Sequence, residues 1–140
     1  MKASKIVLAG LIGGILALGL GFLVFGLALS NFPEENMGSG TAVMRAITDF
    51  NWVAMAIGHL ALGFLYAIVF GVWTNTRSFV DGAKAGATIG FLFSLTNGMI
   101  AFGSTNVTSL PGTLVYIIVG TILSAIVGSV VGALLARGER

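Results

Sequence analysis

His59 is the one histidine of the 140-residue sequence, and imidazole is well suited to bind a metal or carry a proton near neutral pH. A zinc site needs three or four ligands, and the chain has no cysteine and no second histidine to supply them. A Ser-His-Asp triad would need a carboxylate beside His59, and none lies near it in the sequence. We therefore expect no enzyme activity, no metal site and no cofactor. Haem ligation, for which His59 offers a single axial ligand, is the least favoured alternative.

Three more polar residues lie at a similar depth in their apolar segments: Asn97, Thr96 and Thr121. At about 1.5 Å per helical residue, this layer falls roughly 8 to 12 Å from one membrane surface. Because buried imidazole and amide groups need partners, we predict that His59 and Asn97 hydrogen-bond to each other or through a water, with Thr121 as a third member. The layer either holds helices together, which we favour, or lines a pocket for a lipid or small ligand.

The elements that carry these residues are four long apolar segments, at about 6–29, 51–74, 83–103 and 113–136. Hydrophobic residues make up 56% of the chain and charged residues 9%, a composition that a soluble fold of this size cannot bury. Each segment is long enough as a helix to cross a hydrocarbon core of about 30 Å, and helices satisfy their own backbone there. We predict one all-α transmembrane domain over 1–140, with four transmembrane helices in an up-down-up-down bundle.

The first segment also resembles a secretory signal, because Lys2 and Lys5 precede it and small residues stand near its end. Its apolar run is longer than the roughly 7 to 15 residues of a signal core, so we interpret it as a membrane span.

Basic residues set the expected orientation, because Lys and Arg beside membrane spans stay on the cytoplasmic side. With four spans, six of the seven basic residues share one side: Lys2, Lys5, Arg77, Lys84, Arg137 and Arg140. Only Arg45 lies opposite. We expect a bacterial inner (plasma) membrane protein with both termini in the cytoplasm, and Trp52 and Trp73 as interface anchors of the second span. The net charge of +2 needs no nucleic-acid partner.

Two connections carry local signals. Thr41 as an N-cap, followed by one apolar and one polar face, predicts a short outer interfacial helix over about 41–50. A connecting turn packed on the bundle fits that pattern equally well. Ser78 is predicted to cap the third span, with Asp81 near its positive end.

Small residues recur every four positions in the last two spans. They are Gly82, Gly86, Gly90, Ser94 and Gly98 in the third span, and Gly120, Ser124, Gly128 and Gly132 in the fourth. This glycine-zipper pattern permits close helix packing in lipid, where no hydrophobic effect drives helices together. We expect the stripes to hold one chain together; they could instead face another chain. Gly10, Gly14 and Gly19 lie off the stripe of the first span and leave room for partner contacts.

Four stretches carry a resemblance to known proteins: Gly58, His59 and Leu60 through Phe64 to Trp73; Gly82 to Gly90 with Phe91 and Leu92; the loop at Ser104, Thr105 and Asn106; and Ile122 to Gly132. They resemble small uncharacterised bacterial four-helix integral membrane proteins. The resemblance covers most of spans two to four and implies the four-helix membrane fold, without an activity.

Three classes of function remain, and we favour a structural or accessory subunit. It would act through helix packing, as a homo-oligomer or with other membrane subunits, surrounded by membrane lipids. A small transporter, a channel or a lipid- or small-ligand-binding protein, using the polar layer around His59, is the alternative. Coupled transport usually needs an ionisable group inside the membrane, and only His59 qualifies. An enzyme acting on lipid or quinone comes third, because converging polar groups are lacking.

Overall fold

The computed structural model describes residues 3–32, 36 and 45–137, which form helices and their connections, without a β-strand. Helix α1 covers Ala3–Gly21 and continues as a π-helix over Phe22–Ala28. Helix α2 covers Trp52–Ile68 and continues as a π-helix over Val69–Trp73. Helices α3 (Phe79–Ser104) and α4 (Leu110–Ala136) are α-helical throughout. In this described part, four helices are long and apolar enough to cross a membrane, as the four apolar segments predicted.

Polar side chains determine where three of the helices begin. Asn51, Ser78 and Ser109 each accept a hydrogen bond from a backbone N–H three residues further on, at 3.0, 2.9 and 3.2 Å. Each bond satisfies one of the N–H groups that lack a partner in the first turn of a helix. The predicted Ser78 cap is confirmed. It begins α3 at Phe79 rather than at 83, so that Asp81 lies in the first turn.

The first connection differs from the predicted helix over about 41–50. Residues 41–44 lie outside the described residues. Within 45–50 the structure has a single 3-10 turn at Ile47–Asp49, closed by a hydrogen bond from the Asp49 N–H to the Ala46 carbonyl at 2.9 Å. The Thr48 hydroxyl donates to the Asp49 carboxylate at 3.3 Å. Such local side-chain bonds favour turns over helix, so residues 45–50 form a turn here, whereas packing of that turn on the bundle stays a prediction.

Helices α1 and α2 pack through glycine. Gly63 of α2 lies against the backbone of Gly10 and Gly14 of α1, and a β-carbon on Gly14 would lie 2.6 Å from the Leu60 Cα. The contacts run in opposite order along the two helices, because Gly14 meets Leu60 whereas Gly10 meets Phe64. The two helices are therefore antiparallel and almost in backbone contact.

Helices α3 and α4 pack in the same manner. A β-carbon on Gly128 would lie 2.8 Å from the Gly86 Cα, and one on Gly132 would lie 3.0 Å from the Gly82 Cα. At the other end of the pair, a β-carbon on Gly98 would lie 3.1 Å from a side-chain methyl of Thr113. Again the residue numbers rise along one helix as they fall along the other. The small residues of both stripes therefore form the contact between α3 and α4 within one chain.

The hydrophobic core lies where α1, α2 and α4 meet. Its largest fully buried apolar side chains are Tyr66, Phe70, Val127, Val131 and Leu135. Helix α4 contacts α1, α2 and α3, whereas α2 and α3 make only marginal contact along their length in the described chain. Helix α3 is therefore attached to the rest of the molecule mainly through α4.

Candidate functional site

His59 is held by its own helix. Its Nδ1 lies 2.8 Å from the Met55 carbonyl oxygen, one turn back along α2. A carbonyl only accepts, so Nδ1 is the donor in this bond. Nε2 points toward α1, because a β-carbon on Gly21 would lie 3.2 Å from it. The half-buried imidazole thus fits beside α1 at the place where the α-helix becomes a π-helix.

The other members of the predicted polar layer also bond within their own helices. The Asn97 amide donates to the Phe93 carbonyl at 2.8 Å, and the Thr121 hydroxyl donates to the Ile117 carbonyl at 2.7 Å. The predicted direct hydrogen bond between His59 and Asn97 is therefore wrong. An acceptor one turn back is always within reach in a helix, whereas α2 and α3 do not pack closely enough to bring the two side chains together. A bridge through water stays a prediction.

A groove lies between α2 and α3 where the two helices separate. Its volume is about 440 Å³, and its lining residues are Met55, Gly58, His59, Ala61, Leu62 and Leu65 of α2 and Phe93 of α3. Ligand pockets typically measure about 300 to 1,000 Å³ and combine an apolar lining with a few polar groups. The groove meets that description with His59 as its one ionisable side chain. It has the size to hold an apolar molecule or an acyl chain.

Helix α3 is the least covered of the four. Only 11% of the residues in its most apolar stretch are buried, against 28% for α1 and α4. Phe93 and Ile100 are 60% and 64% exposed on its open side. Thr96 and Asn97, which lie between them in sequence, are also exposed. Two polar side chains therefore stand on the outward surface of an otherwise apolar helix, about 10 Å from its end at Ser104.

Two of the three glycines that lie off the first stripe, and that left room for a partner, are covered within the chain. A β-carbon on Gly10 would lie 2.6 Å from the Phe64 ring, and one on Gly14 would meet the backbone of α2. Both positions are thus used inside the chain, because α1 presents more than one side of itself to its neighbours. Only Gly19 of the three faces open space, as do Gly58 and Gly103.

Two further features involve aromatic side chains, namely the two tryptophans and Tyr66. Trp52 and Trp73 lie at opposite ends of the second candidate span and are 43% and 73% exposed, and the Trp52 indole packs against the Phe22 and Phe50 rings with centroids 5.7 Å apart in each case. The hydroxyl of fully buried Tyr66 has no hydrogen-bond partner of good geometry among the described residues, although the Ser124 side chain faces it. Sequence reasoning missed this pair, because nothing in the spacing indicates that α2 meets the α3–α4 pair there.

Sequence reasoning gave a pocket beside His59 as an alternative but did not identify the other residues that line the groove. Gly58 and Phe93 look like ordinary residues of apolar helices, and only the separation of α2 from α3 makes them groove-lining residues. In the described chain, no three His, Asp or Glu side chains come together as a metal site would require. Comparison of this chain with protein families, with curated proteins and with solved structures finds no match.

Proposed function

We propose that this protein is a structural or accessory subunit that binds another transmembrane chain through the open side of α3. One observation carries the proposal: Thr96 and Asn97 are exposed on a helix that packs mainly against α4 in the described chain. In lipid, polar side chains form hydrogen bonds with neighbouring helices, and each such bond contributes about 0.6 to 2 kcal/mol to helix association. Phe93 and Ile100 provide apolar contact area on the same side. A partner helix would satisfy the polar groups and cover both apolar side chains.

This proposal includes an arrangement in the membrane. We propose an up-down-up-down bundle in a bacterial inner membrane with both termini in the cytoplasm. The antiparallel contacts within the α1–α2 pair and the α3–α4 pair support the alternating order. The concentration of basic residues at one end of the four spans supports the orientation.

Single cysteines can test the orientation, because the chain has none of its own. We expect Thr76→Cys, between α2 and α3, to react with a thiol reagent only from the cytoplasmic side. Asn106→Cys, between α3 and α4, should react from outside. Labelling of both positions from the same side would contradict the four-span arrangement.

The subunit function is tested on protein extracted gently from its native membrane. We expect native mass spectrometry to find a stoichiometric assembly larger than one chain. Ile100→Cys should cross-link to the partner, whereas Ile122→Cys, 54% exposed on α4, is the matched control that should not. A lone chain that cross-links at neither position would refute the proposed function.

The groove beside His59 favours a second candidate, the binding of a lipid or another small apolar ligand. Filling the groove with Ala61→Phe should remove a bound molecule from the native mass spectrum, because this exposed residue lines the cavity. Ile122→Phe, remote from the lining, should leave it in place. Equal occupancy in both variants would exclude the groove as the binding site.

A further inference from the structure

We propose that the partner of α3 is a second copy of this chain, joined to the first by a reciprocal hydrogen bond between the two Asn97 side chains. This inference rests on the proposed function, because it names the occupant of the open side of α3. The two copies would be related by a two-fold axis along the membrane normal, so that the same residues meet from both sides.

The hydrogen-bonding capacity of Asn97 is the first reason. An amide has two N–H donors and one oxygen acceptor, and the bond to the Phe93 carbonyl at 2.8 Å uses one donor. One N–H and the oxygen remain, and the residue is exposed. One donor and one acceptor on a single amide complement an identical amide facing them. Two copies would therefore satisfy each other completely, with two equivalent hydrogen bonds.

His59 does not compete for that remaining capacity. It is the polar side chain of α2 that lines the groove next to α3, and its Nδ1 already donates to the Met55 carbonyl. Its Nε2 lies beside Gly21 of α1, and no hydrogen bond joins it to Asn97 in the described chain. Within one chain, neither ring nitrogen of His59 therefore bonds to Asn97. Asn97 needs a partner from outside.

Depth in the membrane is the second reason for a second copy. Asn97 lies seven residues from the end of α3 at Ser104, or about 10 Å along the helix. Two copies inserted in the same orientation place their Asn97 side chains at the same depth, whatever the tilt. A different chain would need its own donor and acceptor at that level.

The spacing of the neighbouring residues suits a helix pair. Phe93, Asn97, Ile100 and Ser104 follow one another at intervals of four, three and four residues, which is the spacing of a seam between two parallel helices. The Ser104 hydroxyl already donates to the Ile100 carbonyl at 2.6 Å, so it brings no unpaired donor into the seam. Asn97, between the apolar residues Phe93 and Ile100, would form the polar contact across the seam, and such a contact fixes the register of paired helices.

Disulfide cross-linking in the native membrane tests the inference. We expect Ile100→Cys to form a homodimer, because the seam brings the two copies of this residue together. Met99→Cys is the control: it is also exposed, at 41%, but points about 100° away around the helix. Equal cross-linking at both positions would overturn the two-fold seam.

The role of the amide is tested separately in detergent by native mass spectrometry over a dilution series. Asn97→Leu should weaken the dimer about tenfold or more, which corresponds to about 1.4 kcal/mol. Asn97→Gln should keep it, because its amide offers the same donor and acceptor. Thermal unfolding of the Asn97→Leu monomer shows whether the chain still folds. A dimer of unchanged affinity in a folded Asn97→Leu variant would refute the inference.

The outcomes also separate this inference from the proposed function. A cross-link from Ile100→Cys to a different protein would overturn the second copy and leave the subunit function standing. Absence of any cross-linked chain and of any larger assembly would overturn both.

Discussion

Replacing Gly63 by alanine should separate α1 from α2. A β-carbon on Gly63 would lie 2.7 Å from the Gly14 Cα, and still closer to the Gly14 nitrogen and the Gly10 carbonyl oxygen. All three are backbone atoms, which no change of side-chain rotamer can move away. Because carbon atoms pack at about 3.5 to 4.0 Å, the two helices must move apart by roughly 1 Å.

The magnitude follows from overpacking and from the change in helix propensity. Inserting a methyl group into a tight contact typically costs about 1 to 3 kcal/mol. Alanine also favours helix over glycine by about 1 kcal/mol in water, which offsets part of that cost. All three contacts of the added carbon are with the backbone of α1, so we take the overpacking cost at its upper end and expect Gly63→Ala to lose about 2 kcal/mol of unfolding free energy after that offset.

Gly58→Ala is the matched control, since it makes the same chemical change on the same helix. A β-carbon on Gly58 meets no atom within 4 Å, and we therefore expect no loss of stability there. The assay is thermal unfolding in detergent, followed by circular dichroism. If Gly63→Ala and Gly58→Ala unfold at the same temperature, the close packing of α1 on α2 is refuted.

Three further changes test other contacts by the same assay. Ser78→Ala should cost about 1 kcal/mol, because it removes the N-cap of α3, whereas Ser4→Ala on the exposed face of α1 should cost nothing measurable. Gly128→Ala should cost about 1 to 3 kcal/mol, because its β-carbon would meet the backbone of α3, and the open position Gly103 provides its alanine control. His59→Leu should cost about 1 kcal/mol or less, because its hydrogen bond stays within α2; a larger loss would point to a bond between helices.

Local features of this chain were predictable because each rests on neighbouring residues. The four long helices follow from the length of the apolar segments, and the start of α3 follows from the hydroxyl of Ser78. The close α3–α4 contact follows from small residues every four positions, because a helix places such residues on one side. The helices and the cap have causes that act within about one helical turn, and the stripe of small residues indicates a close contact without indicating which helix provides it.

The predicted direct hydrogen bond between His59 and Asn97 does not form. The depth of a residue along a helix does not determine which way its side chain points around the helix axis. His59 and Asn97 lie at matching distances from their helix ends, but each side chain bonds to the carbonyl one turn back. Gly10 and Gly14 left room for a partner in the sequence analysis and are instead covered by α2, since the sequence does not reveal how much of α1 faces α2.

By itself the sequence determined the helices: their number, their approximate ends and the absence of a cysteine or a second histidine that chemistry would need. Only the tertiary structure decided which surfaces are covered. Helix α3 packs on α4 and diverges from α2, which opens the groove beside His59 and leaves Asn97 exposed. The reason is that helix formation in apolar segments is a local property, whereas the choice between neighbours depends on how several glycine-lined surfaces fit together at once.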